Sequence, residues 1–197
     1  MANQNGKKYG FTALFPIRAG DHAAELRSHL RGLDRTFYGS PLSEVRAIHM
    51  ARFVVIDRLA YQGLPAKADT LASSYMLFLC DFDGESPDAL VAGLAAAIPD
   101  EVEEIWQHCV AFPGVGLRDP LTAYFEQCQI ETNLFLADRP QDTVDDILKS
   151  LTYRKKFTEF TLWLQKQAAP APAELKRRLT AMRATIEDGP APHPGSL

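Results

Sequence analysis

Cysteine and long apolar runs are both scarce in this sequence of 197 residues. The three cysteines, Cys80, Cys109 and Cys128, are too few and too widely spaced for a disulfide framework, so the expected location is a reducing cytoplasm. No apolar run approaches the ~20 residues that a membrane span needs. The first eight residues are polar, lack the apolar core of a secretory signal, and are predicted to be a flexible leader.

An excess of positive charge is also missing. The net charge is −4, whereas nucleic-acid-binding domains normally carry a basic stripe. Two short basic runs, 154–156 and 176–178, fall on predicted helices, where a solvated face is the simpler interpretation. We therefore expect no nucleic-acid partner. The hydrophobic fraction of 46% is typical of a globular chain and excludes a disordered or collagen-like one.

Familiar catalytic and metal-binding motifs are absent. The sequence contains no nucleophile elbow, phosphate loop or dinucleotide fingerprint. Glu104, His108 and Cys109 lie close together, but zinc sites use three or four ligands in known spacings, and none of those spacings occurs. The sequence therefore predicts no metal site, and its free cysteines are expected to be small buried hydrophobic residues.

Hydrophobic periodicity predicts an alternation of strands and helices. Strands are expected at 9–17, 45–57, 74–82 and 130–137, and helices at 22–32, 87–97, 99–108, 119–127, 143–165 and 173–187. This organisation predicts a leader over residues 1–8 and an α+β domain over 9–167. The remainder, 168–197, is predicted to hold a proline-containing linker, a short amphipathic helix and a tail.

The order β-α-β-β-α-β is that of the ferredoxin-like split unit. It predicts a four-stranded antiparallel sheet with helices on one face and extra C-terminal helices. In the second to fourth strands, one alternating set is bulky and aliphatic and is expected to pack against the helices. The other set mixes aromatic and small residues with Thr12, His49, Cys80, Glu131 and Asn133. Such a face is typical of a ligand cavity roofed by other helices or by a second subunit.

Three segments resemble a bacterial family of dimeric α/β-barrel architecture. They are Ile48–Asp57, Leu77–Gly84 and Ile105–Cys109, and the resemblance extends over about residues 9–165. The superfamily includes dye-decolorising peroxidases, chlorite dismutase-like haem proteins and small cofactor-free monooxygenases. The resemblance implies a homodimer, haem as a candidate cofactor, and redox chemistry on an aromatic or lipid-like substrate. The Gly-x-x-Asp-Gly motif of the dye-decolorising peroxidases has only a partial counterpart in 81–84.

His49 is the candidate catalytic residue, because imidazole titrates near neutral pH and can act as an acid or a base. The alternative is a core histidine that Glu131 or Asn133 satisfies. Arg52 is a candidate anchor for a carboxylate, or else the partner of Asp81 in an ion pair. The substrate-binding residues predicted with it are Thr12, Phe53, Phe78, Glu131, Asn133 and Phe135.

These residues predict a small-molecule binding protein or enzyme with a mostly apolar pocket, whose ligand is an apolar or aromatic small molecule. Two alternatives stay open at this stage. The first is a non-catalytic module that dimerises through the open sheet face. The second is a haem-binding, peroxidase-like protein with His49 or His108 as the axial ligand. The sequence does not decide whether the protein is an enzyme.

Overall fold

The computed structural model describes residues 3–36, 39–61, 63–65, 70–167, 169–187 and 189–194. The chain divides into two compact units, Met1–Gln141 and Asp142–Leu197. That division falls after the predicted fourth strand, whereas the predicted linker begins at residue 168. The domain boundaries drawn from the sequence stay a prediction.

The first unit is built on one antiparallel sheet. Its strands are β1 (Gln4–Asn5), β2 (Lys8–Pro16), β3 (Ile48–Arg58) and β4 (Thr70–Asp83), in the order β1-β2-β4-β3. Its helices are α1 (His22–Gly32), α2 (Pro87–Ala97), α3 (Pro99–Trp106) and α4 (Arg118–Cys128), with a 3₁₀ helix at Pro41–Glu44. The predicted α+β class with a four-stranded antiparallel sheet is confirmed.

The fourth strand predicted at 130–137 is wrong, because this segment is irregular. It does not pair with β2 along its length, although Gln129 bridges Ala13 and the Ile130 N–H donates to the Thr12 carbonyl. The predicted leader supplies the edge strand instead, through a turn at Gly6, whose φ is +62°. Closing this short hairpin costs far less chain entropy than bringing residue 130 back to β2. The β2 edge is thus shared by β1 and by the residues around 129–130, and the ferredoxin-like βαββαβ arrangement predicted from the sequence is not confirmed.

The face of the sheet that packs against the helices, called the inner face, is the aromatic one. Phe78 on β4 is fully buried, with ring centroids 4.7 Å from Phe53 and 5.4 Å from Trp106. Phe11 and Phe15 on β2 continue this core towards α4. The sequence predicted that the helices cover the opposite, aliphatic face. This prediction is wrong because both alternating sets of side chains are apolar, and their alternation does not show which set packs against the helices. Aromatic rings remove more area from water, which favours burying their face.

The opposite surface, the outer face, carries the aliphatic set that was expected to be buried. It is defined by Thr12, Leu14, Arg52, Val54, Leu77 and Leu79, which alternate with the inner-face residues. Thr12, Leu79 and Arg52 form one cross-strand row, and Leu14, Leu77 and Val54 form the next. The outer face is thus apolar over much of its area and partly accessible to water.

The helices of the first unit lie where periodicity predicts them. The bounds of α1 and α2 match the expected ones, and α2 begins with Pro87 at a position that tolerates proline. Asp21 precedes α1 but makes no side-chain cap, and its carbonyl accepts hydrogen bonds from the backbone N–H groups of Ala24 and Glu25 instead.

The second unit contains α5 (Val144–Gln165) and α6 (Pro172–Glu187). Thr143 and Asp146 form a capping box that starts α5. Among the described helices of the chain, none is long and apolar enough to cross a membrane.

Candidate functional site

Four charged or titratable side chains gather at one end of the outer face. We call Lys8, His49, Asp81 and Asp83 the polar cluster. Lys8 and Asp83 are register partners between β2 and β4, and Lys8 is buried. Opposite charges at such a cross-strand position stabilise the pairing of the strands.

His49 joins this cluster because β3 has an irregular register at this point. The register shifts between Ile48 and Met50, which leaves His49 as an extra residue. Bulges of this kind re-aim a side chain. His49 Nε2 consequently lies 2.7 Å from Asp83 Oδ1, and the two side chains are only 14% and 18% exposed. The histidine is thus satisfied by Asp83, not by Glu131 or Asn133.

Within the polar cluster, the Asp81 carboxyl has a shifted pKa. Burial raises the pKa of the Asp81 carboxyl, while the charges of His49, Lys8 and Arg52 act in the opposite direction. Burial prevails, so the neutral form of Asp81 is favoured more than in an unfolded chain. Arg52, in the neighbouring row of the outer face, lowers the pKa of the Asp81 carboxyl less than His49 and Lys8 do, and the ion pair between Arg52 and Asp81 stays a prediction.

Phe135 covers the sheet next to the polar cluster. Gly10 alternates with the buried Tyr9 and Phe11, so its missing side chain would point to the outer face. A Cβ atom there would lie 2.8 Å from the Phe135 ring, which is closer than real side chains approach. Asn5 holds the segment through an amide hydrogen bond of 3.4 Å to the Phe135 carbonyl. Glycine at position 10 is what lets this aromatic ring lie on the strand.

The other predicted site residues do not all share this face. Thr12 and Arg52 lie on the outer face with Phe135, whereas Phe53 and Phe78 belong to the inner-face core. Glu131 and Asn133 are exposed on the irregular segment. The structure therefore gathers His49, Thr12, Arg52 and Phe135 on one side of the sheet and places the two phenylalanines on the other.

Sequence reasoning missed Lys8 and Asp83. The predicted third strand ends at residue 82, one residue before Asp83. Lys8 was assigned to the leader. Antiparallel pairing of the second and third predicted strands, extended by one residue, would have placed Asp83 near His49.

Two groups of possible metal ligands lie between α1 and the region of α3. The first is His22, Glu25 and His108, and the second is His29, Glu101 and Glu104. Glu104 and His108, considered together from the sequence, thus fall into separate groups. Burial and the nearby His22 lower the pKa of His108, which favours its neutral form.

Cys109 takes no part in either group. It is buried in the core, and burial raises the pKa of its thiol to about 12. The thiolate that would bind a metal or act as a nucleophile is therefore disfavoured.

A groove of about 280 Å³ lies between α5 and α6 in the second unit. It contains Trp163, with the Arg178 guanidinium 4.1 Å above the indole ring. None of the site residues predicted from the sequence lines this groove.

Of the two histidines considered for haem, His49 does not fit an axial-ligand role. Haem iron is ordinarily bound through the ring nitrogen farther from the backbone, and in His49 that nitrogen contacts Asp83. His108 packs against His22 through its other nitrogen, with the two Nδ1 atoms 3.1 Å apart. The haem alternative stays a prediction for His108.

Comparisons with known protein families, with curated proteins and with solved structures find no match to this chain. The resemblance to the dimeric α/β-barrel superfamily stays a prediction.

Proposed function

We propose that the outer face beside the polar cluster binds a small apolar or aromatic molecule that carries one carboxylate-like group. The observation that carries this proposal is the short contact between His49 Nε2 and Asp83 Oδ1. An ionised carboxylate only accepts hydrogen bonds, so in the neutral form of His49 the hydrogen is on Nε2 and Nδ1 keeps a lone pair. A histidine held in one tautomer in this way is suited to removing a proton from a bound molecule.

The surroundings of this histidine match such a ligand. Arg52 supplies a guanidinium that can bind a carboxylate through two hydrogen bonds. Leu79 lies between Arg52 and Thr12 in the same row and offers apolar surface to the rest of the ligand. Phe135 adds an aromatic ring at the adjoining edge. In this proposal His49 is the acid or base, Arg52 the anion anchor and Asp83 a positioning residue.

The site is enclosed, in this proposal, by a second copy of the chain. A sheet face alone is flat, whereas small-molecule sites are concave. Met50 is 63% exposed and Val54 is 39% exposed on this surface. Apolar side chains exposed in this way favour a homodimer that covers the outer face.

Binding of benzoate, compared with benzyl alcohol, tests the proposed function. Ligand-detected NMR with the full chain is expected to show saturable binding of benzoate and much weaker binding of the alcohol. Arg52→Gln and His49→Gln are each expected to weaken benzoate binding about tenfold, which corresponds to one lost charge-assisted hydrogen bond. Arg118→Gln is the matched control, because Arg118 is an exposed arginine whose partner is Asp88, 2.7 Å away. Equal loss in the control, or no loss in the Arg52 and His49 variants, would contradict the proposal.

The second candidate function is a dimerising module with no ligand, and the exposed Met50 and Val54 favour it. Light scattering during gel filtration measures the oligomer directly, and Val54→Glu is expected to convert a dimer into a monomer. A dimer that binds no benzoate would support the module over the ligand site. A Soret band in the purified protein would contradict both and support the haem alternative.

A further inference from the structure

Three side chains that could bind a metal ion lie together near the start of α1, away from the outer face. His22 is the first residue of this helix, and Glu25 lies one turn later on the same helix face. His108 follows α3 and comes from the other side. The turn that carries it is fixed to the end of β2, because the Arg18 N–H donates to the His108 carbonyl and the Val110 N–H donates to the Pro16 carbonyl. All three side chains therefore start from ordered backbone.

Their ligand atoms form a compact triangle. The two Nδ1 atoms of His22 and His108 are 3.1 Å apart, and each lies 3.6 Å from Glu25 Oε2. The centre of this triangle is about 2.0 Å from all three atoms, so an ion slightly out of the plane of the triangle has bonds of about 2.1 Å, the length of Zn–N and Zn–O bonds. No movement of the side chains is needed to satisfy the three bond lengths.

The distances between the three ligand atoms also indicate the coordination geometry of the ion. Two ligands on a tetrahedral ion with bonds of about 2.05 Å lie about 3.3 Å apart, whereas neighbouring ligands on an octahedral ion with such bonds lie about 2.9 Å apart. The two observed separations of 3.6 Å are nearer to the tetrahedral value, and the third, 3.1 Å, lies midway between the two values. Two imidazoles with one carboxylate are also a ligand set of zinc sites that keep one position open.

We infer that His22, Glu25 and His108 form a binding site for a divalent transition-metal ion, with zinc as the ion that fits best. The ion has three protein ligands and one coordination position for water or another molecule. Glu25 is 59% exposed, so this fourth position is reached from solvent. The site is independent of the benzoate site proposed above, and it stands or falls separately.

The neighbouring group of His29, Glu101 and Glu104 has a different geometry. Glu101 lies 2.6 Å from His29 Nε2, while Glu104 lies 3.5 Å from Nδ1 of the same ring. The two nitrogens of one imidazole point in different directions, so one ion does not replace both contacts. This group is a histidine clamped by two carboxylates, and it supplies a control next to the proposed site.

Metal titration of the full chain tests the inference. Co²⁺ is added first, because four-coordinate cobalt gives intense visible absorption that six-coordinate cobalt lacks, and Zn²⁺ is then used to displace it. We expect one Co²⁺ per chain with the four-coordinate spectrum and full displacement by Zn²⁺. Far-UV circular dichroism of each variant checks that it is folded.

Single substitutions assign the ligands. His22 is partly exposed, so its substitution should leave the fold intact. Removing a hydrogen-bond partner of a metal ligand weakens metal binding by up to about 100-fold, and removing a ligand itself should cost more. His22→Gln is therefore expected to weaken Zn²⁺ binding more than about 100-fold. Glu25→Gln is expected to lower the affinity and to change the cobalt spectrum. His29→Gln is expected to leave the affinity within about threefold of the unmodified chain.

Three results would overturn the inference. The first is the absence of saturable Zn²⁺ binding. The second is unchanged affinity in a folded His22→Gln chain. The third is a loss of binding in His29→Gln that equals the loss in His22→Gln, since that would assign the ion to the neighbouring group.

Discussion

Adjacent residues on β4 allow the assignment of the two sheet faces to be tested in one experiment. Phe78 is fully buried on the inner face, in contact with the rings of Phe53 and Trp106. Leu77 is the preceding residue of β4 and lies on the outer face, where it pairs with Val54. The two substitutions Phe78→Ala and Leu77→Ala therefore change the same strand on opposite sides.

The expected losses of stability differ severalfold. Removing a fully buried phenylalanine ring costs about 3–5 kcal/mol, because the transfer energy is lost and a cavity is left behind. Leu77 is only partly buried, so its truncation removes about half of the 1.5–3 kcal/mol of a fully buried leucine. Water fills the space on the outer face, and no cavity term is added. We expect about 1 kcal/mol for Leu77→Ala.

Urea denaturation followed by tryptophan fluorescence measures both values. The chain has two tryptophans, Trp106 and Trp163, and only Trp106 lies in the unit that contains the sheet. A Trp163→Phe background therefore gives a signal specific to this unit. Equal costs for the two alanine variants, or a larger cost for Leu77→Ala, would refute the assignment of faces. A cost for Leu77→Ala that grows with protein concentration would instead support the proposed homodimer.

Three further changes test local features of the structure. Gly10→Ala is expected to lower the free energy of unfolding by about 1–3 kcal/mol, measured by urea denaturation, because the new Cβ overlaps the Phe135 ring. In a chain that already carries Phe135→Ala, the same Gly10→Ala change should cost much less. Because the pKa of Asp81 is raised in the folded chain, ionisation of this carboxyl destabilises the unmodified chain as the pH rises through that pKa. Asparagine does not ionise, so Asp81→Asn is expected to become more stabilising between about pH 3 and pH 7. Melting temperatures of the two chains that show no such trend would contradict this prediction. Thr143→Ala is expected to cost about 1 kcal/mol by removing the capping box of α5, whereas Thr161→Ala, near the other end of that helix, should cost little.

The helices could be predicted well because their signals are local. The spacing of apolar residues and the position of Pro87 fix the bounds of α2, and similar patterns fix α1. Three of the four predicted strands were located for the same reason, but the faces and partners of the strands, and the segment that forms the edge of the sheet, depend on contacts between distant segments. Both alternating sets of β4 are apolar, and only packing against Trp106 and the helices shows which set is buried.

The candidate sites were predicted less well, because both depend on register or on tertiary contacts. The contact of His49 with Asp83 requires a bulge in β3, and nothing in the alternation pattern marks the extra residue. His22 and His108 are 86 positions apart, so no spacing rule brings them together. They meet because residues 108–110 hydrogen-bond to Pro16 at the end of β2 and to Arg18 in the short connection that leads from β2 to α1. The same backbone contacts that close the fold at this edge therefore also create the proposed metal site, which is why its ligands become visible only once the chain is folded.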